Sequence, residues 1–419
     1  MDRLLPCSGA RFFALFLIGR TWEVMPGAGS RERRRIGSTR VWLLQAAMNE
    51  IAKRCEGKQG TSRRQAVTSF TLTMPAGSRS LAWFDDVFGF DESKSYQSNR
   101  AQFRMEGESL VCPTSKHGPQ FVGPFETPSL AELREAVAAG ATAADGAKGL
   151  IFSHLATPTG VQSLIADPAN AGAVFQAASQ FNCLEMVGPG VSPREGIAIY
   201  ASDPTQGPKC AIACPAATAF RNYLCLGGAG QGDKQIDCLA DVGLAVGNPE
   251  HGYWIMQNGY ALPRTRTAMR ELGARLHEAP GLWERAEAAL RVGVHWDTQV
   301  RPPHTHRVAQ VFASAVPVAY SKSTASADWE PFARLVLRAA YEATLAVGAL
   351  KAATTPGKRV TIFLTSLGGG AFGNRHQWIV DAVAHALKAF EHAPLDVVLV
   401  HYGTMVPRDW QAVQWPPAS

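Results

Sequence analysis

Cysteine is scarce and unpatterned in this 419-residue sequence: there are eight, and none forms a Cys-x-x-Cys pair. A zinc ribbon or a disulfide scaffold is therefore not expected, and an intracellular, reducing compartment, cytoplasmic or nuclear, is. Long hydrophobic runs are also missing. The early apolar run at 12–18 lies between Arg11 and Arg20 and falls well short of the roughly 20 residues of a membrane span. No His-Glu-x-x-His motif, Gly-x-Ser-x-Gly elbow or Gly-Lys-Ser/Thr phosphate-loop ending occurs. These absences argue in turn against a zinc protease, an ordinary α/β-hydrolase and a P-loop nucleotidase.

Acidic residues are thin at one end only. Residues 1–80 hold 14 Lys and Arg against five acids, whereas 81–419 hold 27 against 30. The formal charge of +6 thus belongs to the N-terminal segment and not to a folded basic face, so nucleic acid is not an expected partner. Residues 1–80 read as a basic extension, disordered apart from one helix over 41–51. Their Arg- and Ser-rich composition is also that of an organelle-targeting leader, and Met25 or Met48 could serve as an alternative start. With 46% hydrophobic and 18% charged residues, the remainder can bury a core. A globular domain is expected over 81–403, with 404–419 as a C-terminal tail.

What is present reads as alternating helices and strands. Ser129 and Glu132 form a capping box that opens a helix to about 138. Residues 172–179 are a buried strand, and 210–223 a helix. Asn258-Gly259 marks a hairpin turn, and helices follow over 266–277 and 281–291. Strands are expected near 292–298 and 308–320. Apolar residues at three- and four-residue spacing, with Pro331 in the first turn, predict a helix over 328–350. A β-branched strand over 360–367, a glycine turn, a helix over 376–390 and a strand over 395–401 complete the grammar of a parallel α/β sheet.

Two glycine regions carry the candidate chemistry. Gly368, Gly369, Gly370, Ala371, Phe372, Gly373 and Asn374 sit between a buried strand and a helix, where backbone N–H groups converge as a phosphate cradle. The spacing fits Gly-x-Gly-x-x-Gly, but a dinucleotide fold would place this turn after its first strand, and only about 45 residues remain here. The second region is the irregular loop 187–208. Gly188 and Gly190 permit close backbone approach to a ligand, Glu185, Glu195 and Asp203 supply carboxylates, and Gln206 supplies an amide. His295, Asp297, His304 and His306 lack metal-site spacing and are interrupted by Pro302-Pro303, so no metal is expected. The glycines of 227–232 read as a flexible connection.

Taken together, the two regions resemble macrodomains, closest to the branch of microbial poly(ADP-ribose) glycohydrolases. Val174-Phe175-Gln176-Ala177-Ala178-Ser179, followed by Asn182 and Gly188-Pro189-Gly190, resembles that family's strand and ligand loop; 367–374 resembles its second phosphate-binding turn. The resemblance implies a three-layer α/β/α sandwich with a mixed, largely parallel sheet, enlarged by insertions. It further implies ADP-ribose or an ADP-ribosylated protein as partner, with no cofactor. Asn182 would face the distal ribose, Gly188 and Gly190 its phosphate, and the 368–373 turn the diphosphate from the other side. The family's catalytic Gln-Glu-Glu is absent, its place reading Thr205-Gln206-Gly207-Pro208. Asp203 or Glu195 would then serve as general acid. Three readings stay open: an ADP-ribosyl hydrolase, a catalytically silent ADP-ribose reader, and an unrelated nucleotide-binding enzyme.

Overall fold

The computed structural model describes residues 82–140, 149–355 and 357–415; the basic extension and its expected 41–51 helix lie outside them. Twelve strands occur among the described residues. Three, β1 (Arg104–Glu106), β2 (Ser109–Val111) and β3 (Gln120–Phe121), make a small antiparallel sheet. Two more, β7 (Trp254–Gln257) and β8 (Tyr260–Pro263), are joined by Asn258-Gly259, both at positive φ, the turn that their residue types favour.

The other seven form the central sheet. Its spatial order is β4 (Phe125–Glu126), β9 (Gly293–Gln299), β10 (Arg307–Ala313), β6 (Val174–Ala178), β11 (Val360–Leu364), β12 (Leu395–Tyr402) and β5 (Ile151–Thr157). The run from β10 to β5 is parallel throughout, and β9 is antiparallel to both β4 and β10. Helices cover both faces, giving the mixed, mostly parallel α/β/α arrangement. The strands β6, β10 and β11 are apolar runs because each is buried on both faces.

The long helix Glu330–Ala353 supplies much of the core. Its Ala339, Ala340, Ala343 and Ala346 are fully buried, and such small side chains allow close approach to the sheet. At Gly348 a Cβ would overlap the Ile362 side chain of β11, so that contact requires glycine. The helices Leu130–Gly140 and His376–Ala389 pack beside it. The capping box is formed: Ser129 N–H donates to Glu132 Oε2 at 2.7 Å, and Glu132 N–H to Ser129 Oγ at 3.2 Å. The single helix expected over 210–223 is two, Gln206–Ala213 and Pro215–Tyr223. Pro215 has no N–H and its ring crowds the preceding turn, which breaks the run.

A second core joins the first described residues to the irregular loop 187–208 and its flanks. Trp83, Phe84, Phe88 and Phe103 pack with Leu184, Ile197, Tyr200 and Tyr223. Glu92 fastens this layer, accepting from the Tyr223 hydroxyl and the Ala198 amide, both at 2.5 Å. At the other end, Arg408–Gln411 forms a short helix and Trp410 is buried in the main core. The described part of the segment following Gly403 is therefore tied down by Trp410, with Val406, Val413 and Trp415 packed on the same core and the His154 ring 2.7 Å from the Val413 carbonyl.

Candidate functional site

The site originates where two strands part. β6 pairs with β11 only through Val174 and Phe175, opposite Ile362 and Phe363. On its other side β6 stays beside β10 to Ala178, and Ser179 N–H donates to the Ala313 carbonyl at 2.9 Å. Alternate residues of a strand address opposite neighbours, so Gln176 and Ala178 present backbone groups to the gap that β11 vacates. Gln206 fills that place. Its Oε1 accepts the Ala178 N–H at 2.8 Å and its Nε2 donates to the Gln176 carbonyl at 2.7 Å. The Gln176 side chain spans the gap from within, accepting from Thr365 N–H at 3.3 Å and donating to the Thr344 hydroxyl at 2.9 Å. Tyr341 braces the far wall, donating to the Thr365 carbonyl at 2.6 Å and accepting from Leu367 N–H at 2.8 Å.

The result is a cleft outside the carboxyl ends of the strands, where open α/β sheets place their ligands. It has two adjoining lobes that share Thr205, Gln206 and Thr365. One, about 700 Å³ out to its open mouth, is walled by Val161, Phe363, Val400 and Tyr402, with the Lys209 ammonium 4.9 Å from the Tyr402 ring centre. The other, about 720 Å³, lies between Ser179, Gln180, Met186 and Val187 on one side and Gly368, Gly370, Ala371 and Phe372 on the other. Tyr260, Tyr320 and Phe372 form an aromatic wall there, with ring centres 5.2–5.5 Å apart.

The glycine turn is shaped by two residues at left-handed φ, Gly368 at +70° and Gly373 at +71°. A Cβ on Gly368 would overlap Ala315, and one on Gly373 would sit 2.9 Å from the Ala319 Cβ. The Gly373 and Asn374 amides close the turn onto the Gly370 and Gly368 carbonyls at 3.0 and 2.9 Å, while Gly369 donates to Ser366 at 3.1 Å. Asn374 Nδ2 ties the turn to the Val316 carbonyl at 2.9 Å. Among the described residues, the amides of Gly370, Ala371 and Phe372 find no acceptor within the chain. Gly370 faces open space.

Glu185 stands at the cleft wall in an unusual state. It is fully buried, and neither carboxyl oxygen has a hydrogen-bond partner among the described residues. Burial pushes its carboxyl up to about 8; the adjacent Ser179 hydroxyl and, less strongly, the Arg221 guanidinium only partly oppose this. Gly207 makes room for it, since a Cβ there would overlap both Glu185 Oε2 and the Ala178 carbonyl. The Glu185 amide donates to the Tyr200 hydroxyl at 2.9 Å. Asp203 is the second carboxylate on the same wall, and its Oδ1 accepts from Thr205 N–H at 2.8 Å.

The other residues singled out in the sequence are distributed as follows. Gln206, Gly368, Gly370, Ala371 and Phe372 line the cleft with Asp203; Gly369, Gly373 and Asn374 belong to the same turn. Asn182 is buried behind the loop, accepting from Leu184 N–H at 3.1 Å and donating to Gln235 at 2.9 Å. Gln235 continues to Asn258, and Asn258 to the Pro189 carbonyl, so this chain of amides positions the loop. Gly188 and Gly190 lie on the loop beyond Met186 and Val187, outside the cleft lining. Glu195 ends an exposed 3-10 turn, Pro193–Glu195, also outside the lining. Of the four residues weighed as a metal cluster, His304 and His306 pack edge to face at 5.7 Å and His306 contacts the Ile165 carbonyl, whereas His295 packs against Arg221 and Asp297 pairs with Lys351.

In the sequence Glu185 is one carboxylate among several, and no local pattern marks Tyr260, Tyr320 or Tyr402. Nothing local distinguishes a buried Glu from a solvated one. A Leu184-Glu185-Met186 run with apolar neighbours was the available signal.

No protein-family model matches the chain, and the comparison with curated proteins found no match. Among solved structures, the chain is similar to the poly(ADP-ribose) glycohydrolase of Deinococcus radiodurans in complex with ADP-ribose. Identity is 12%, over 68% of this chain and 89% of that one, with a TM-score of 0.38. It is also similar to the poly(ADP-ribose) glycohydrolase of Thermomonospora curvata bound to the inhibitor ADP-HPD. There, identity is 13% over 75% and 94% of the two chains, with a TM-score of 0.35. Both are microbial glycohydrolases of the group that the two glycine regions of this sequence resemble.

Proposed function

We propose that this chain binds ADP-ribose, or a closely related nucleotide diphosphate, across the two-lobed cleft and hydrolyses ADP-ribosyl linkages on modified proteins there. The observation that carries the reading is convergence: loop 179–187 and the glycine turn face each other across one cleft, next to an apolar lobe with room for a nucleobase. A planar base fits the apolar lobe against Tyr402, where Lys209 adds a cation at the ring. The diphosphate then lies at the glycine turn, whose free amides at Gly370, Ala371 and Phe372 supply donors of the kind that bind phosphate. The distal sugar reaches the aromatic wall and the two carboxyl groups, Glu185 and Asp203.

Neither Lys nor Arg lines the second lobe, so phosphate recognition in this reading rests on backbone N–H groups. Isothermal calorimetry with ADP-ribose, and with AMP and ribose 5-phosphate as half-ligands, tests it. The full ligand should bind more tightly than either half, because it occupies both lobes. Absence of heat with ADP-ribose refutes the reading. Release of ADP-ribose from a modified protein separates a hydrolase from a silent reader.

A further inference from the structure

We infer that Glu185 is the proton donor of this cleft, its carboxyl delivering a proton to the leaving oxygen as the ADP-ribosyl bond breaks; the inference rests on the hydrolytic reading above. Three features of the structure lead to it. First, both Glu185 oxygens lack a partner although polar groups surround them. The Tyr260 hydroxyl is committed to the Met186 carbonyl and the Gln206 amide to β6, while the Ser179 hydroxyl, which lies beside the carboxyl and draws its pKa down, donates to the Leu184 carbonyl at 3.2 Å. A buried carboxyl without a partner costs stability, and it persists where function requires it. Second, Glu185 adjoins the cleft, its carboxyl covered directly beneath the lining, so a ligand atom that displaces this cover is the available partner. Third, Gly207 opens the helix Gln206–Ala213 where a larger residue would displace the carboxyl.

Burial keeps Glu185 neutral against the pull of Ser179 and Arg221. Arg221 is fully buried, but its guanidinium stacks on the Phe312 ring at 3.6 Å and donates to the Cys183 carbonyl and the Thr218 hydroxyl. Tyr200, Cys210 and Asp203 complete the surroundings. Burial raises the carboxyl to about 8, so it carries its proton at neutral pH, as a general acid must.

The step balances as follows. The bond between the anomeric carbon and the acceptor oxygen breaks, its electron pair leaving on the oxygen, which takes the Glu185 proton. A water oxygen bonds to the anomeric carbon and loses a proton to Asp203, which returns it to solvent. Glu185 is then reprotonated from solvent. Glu185 thus acts as a catalytic residue and Gly207 as the residue that positions it.

The test uses the full chain and an ADP-ribosylated protein, with ADP-ribose calorimetry alongside. Glu185→Gln keeps shape and neutrality, so ADP-ribose should still bind while release falls by at least about 100-fold. Glu185→Asp restores an acid on a shorter stem and should recover part of the rate. The wild-type rate should fall as pH rises through about 8, and this limb should vanish in Glu185→Gln. Gly207→Ala should move the limb and lower kcat more than it raises KM. Binding with undiminished release in Glu185→Gln overturns the assignment while leaving the hydrolytic reading intact. Wild-type binding with no release overturns the assignment and leaves a reader. Absence of wild-type binding overturns both.

Discussion

Replacing Glu185 by Gln should stabilise the protein in alkaline solution, whatever the ligand. The wild-type carboxyl moves from 4.5 in the unfolded chain to about 8 in the fold, because burial penalises its charged form. Its folded value is raised, so its contribution is fully present below 4.5 and is lost as pH rises through about 8. At about 1.4 kcal/mol per pH unit, the ceiling of that loss is on the order of 5 kcal/mol, and local opening that admits water lowers it. Glu92, pushed up to about 7 by burial, adds a second loss of the same sign. Urea unfolding followed by circular dichroism, at about pH 6 and about pH 9, measures the slope. Wild type should lose several kcal/mol between the two, and Glu185→Gln distinctly less, with Glu92 accounting for the remainder. Equal slopes in the two proteins would refute the argument, because they would mean that Glu185 is solvated or paired in the fold.

Gly370→Glu should leave the melting temperature unchanged, since a Cβ there meets no atom within 4 Å, yet abolish ADP-ribose binding by placing a carboxylate at the phosphate site; calorimetry at unchanged affinity would remove the turn from the site. Gly368→Ala should behave oppositely, losing about 1–3 kcal/mol or more through its left-handed φ and the overlap with Ala315, as read by thermal unfolding. Glu342 is held down to about 2: burial works against this, but hydrogen bonds from His385 and Arg134 outweigh it. Its stabilising contribution is present above 4.5 and lost as pH falls through about 2, so Glu342→Gln should flatten acid unfolding in that window. Trp410→Ala should cost about 3–5 kcal/mol if its burial is what docks the C-terminal segment, and limited proteolysis should then cut after Gly403.

Much of the fold was legible because its signals are local. The 360–364 run is β-branched and apolar, the capping box needs only Ser129 and Glu132, and the hairpin needs only Asn258-Gly259. Strand β5 was not legible. It is an edge strand whose Ser153 and His154 interrupt the apolar pattern, and its pairing with β12 is what makes it a strand. The glycine turn could be placed from sequence for the same local reason: a strand precedes it and a helix follows. The distinction between Asp203, on the cleft wall, and Glu195, on an exposed turn, could not, because both sit on one polar loop and only tertiary packing separates them. Glu185 shows the same limit more sharply. Its burial is produced by Tyr200, Gly207 and Arg221, which are between 15 and 36 residues away along the chain.

The paired glutamines at the strand fork bear on how fast a ligand can arrive. Gln206 caps the freed edge of β6, and the Gln176 side chain reaches from β6 to Thr365 past the end of β11, so the width of the crevice is set by the length of one side chain. A gap propped from inside does not have to be prised apart on each encounter, and access then depends on diffusion and orientation more than on a slow rearrangement. It also gives the cleft a built-in gauge. Shortening Gln176 by one methylene would bring the strand ends together and favour thinner ligands over thicker ones, without touching any residue that lines the cleft.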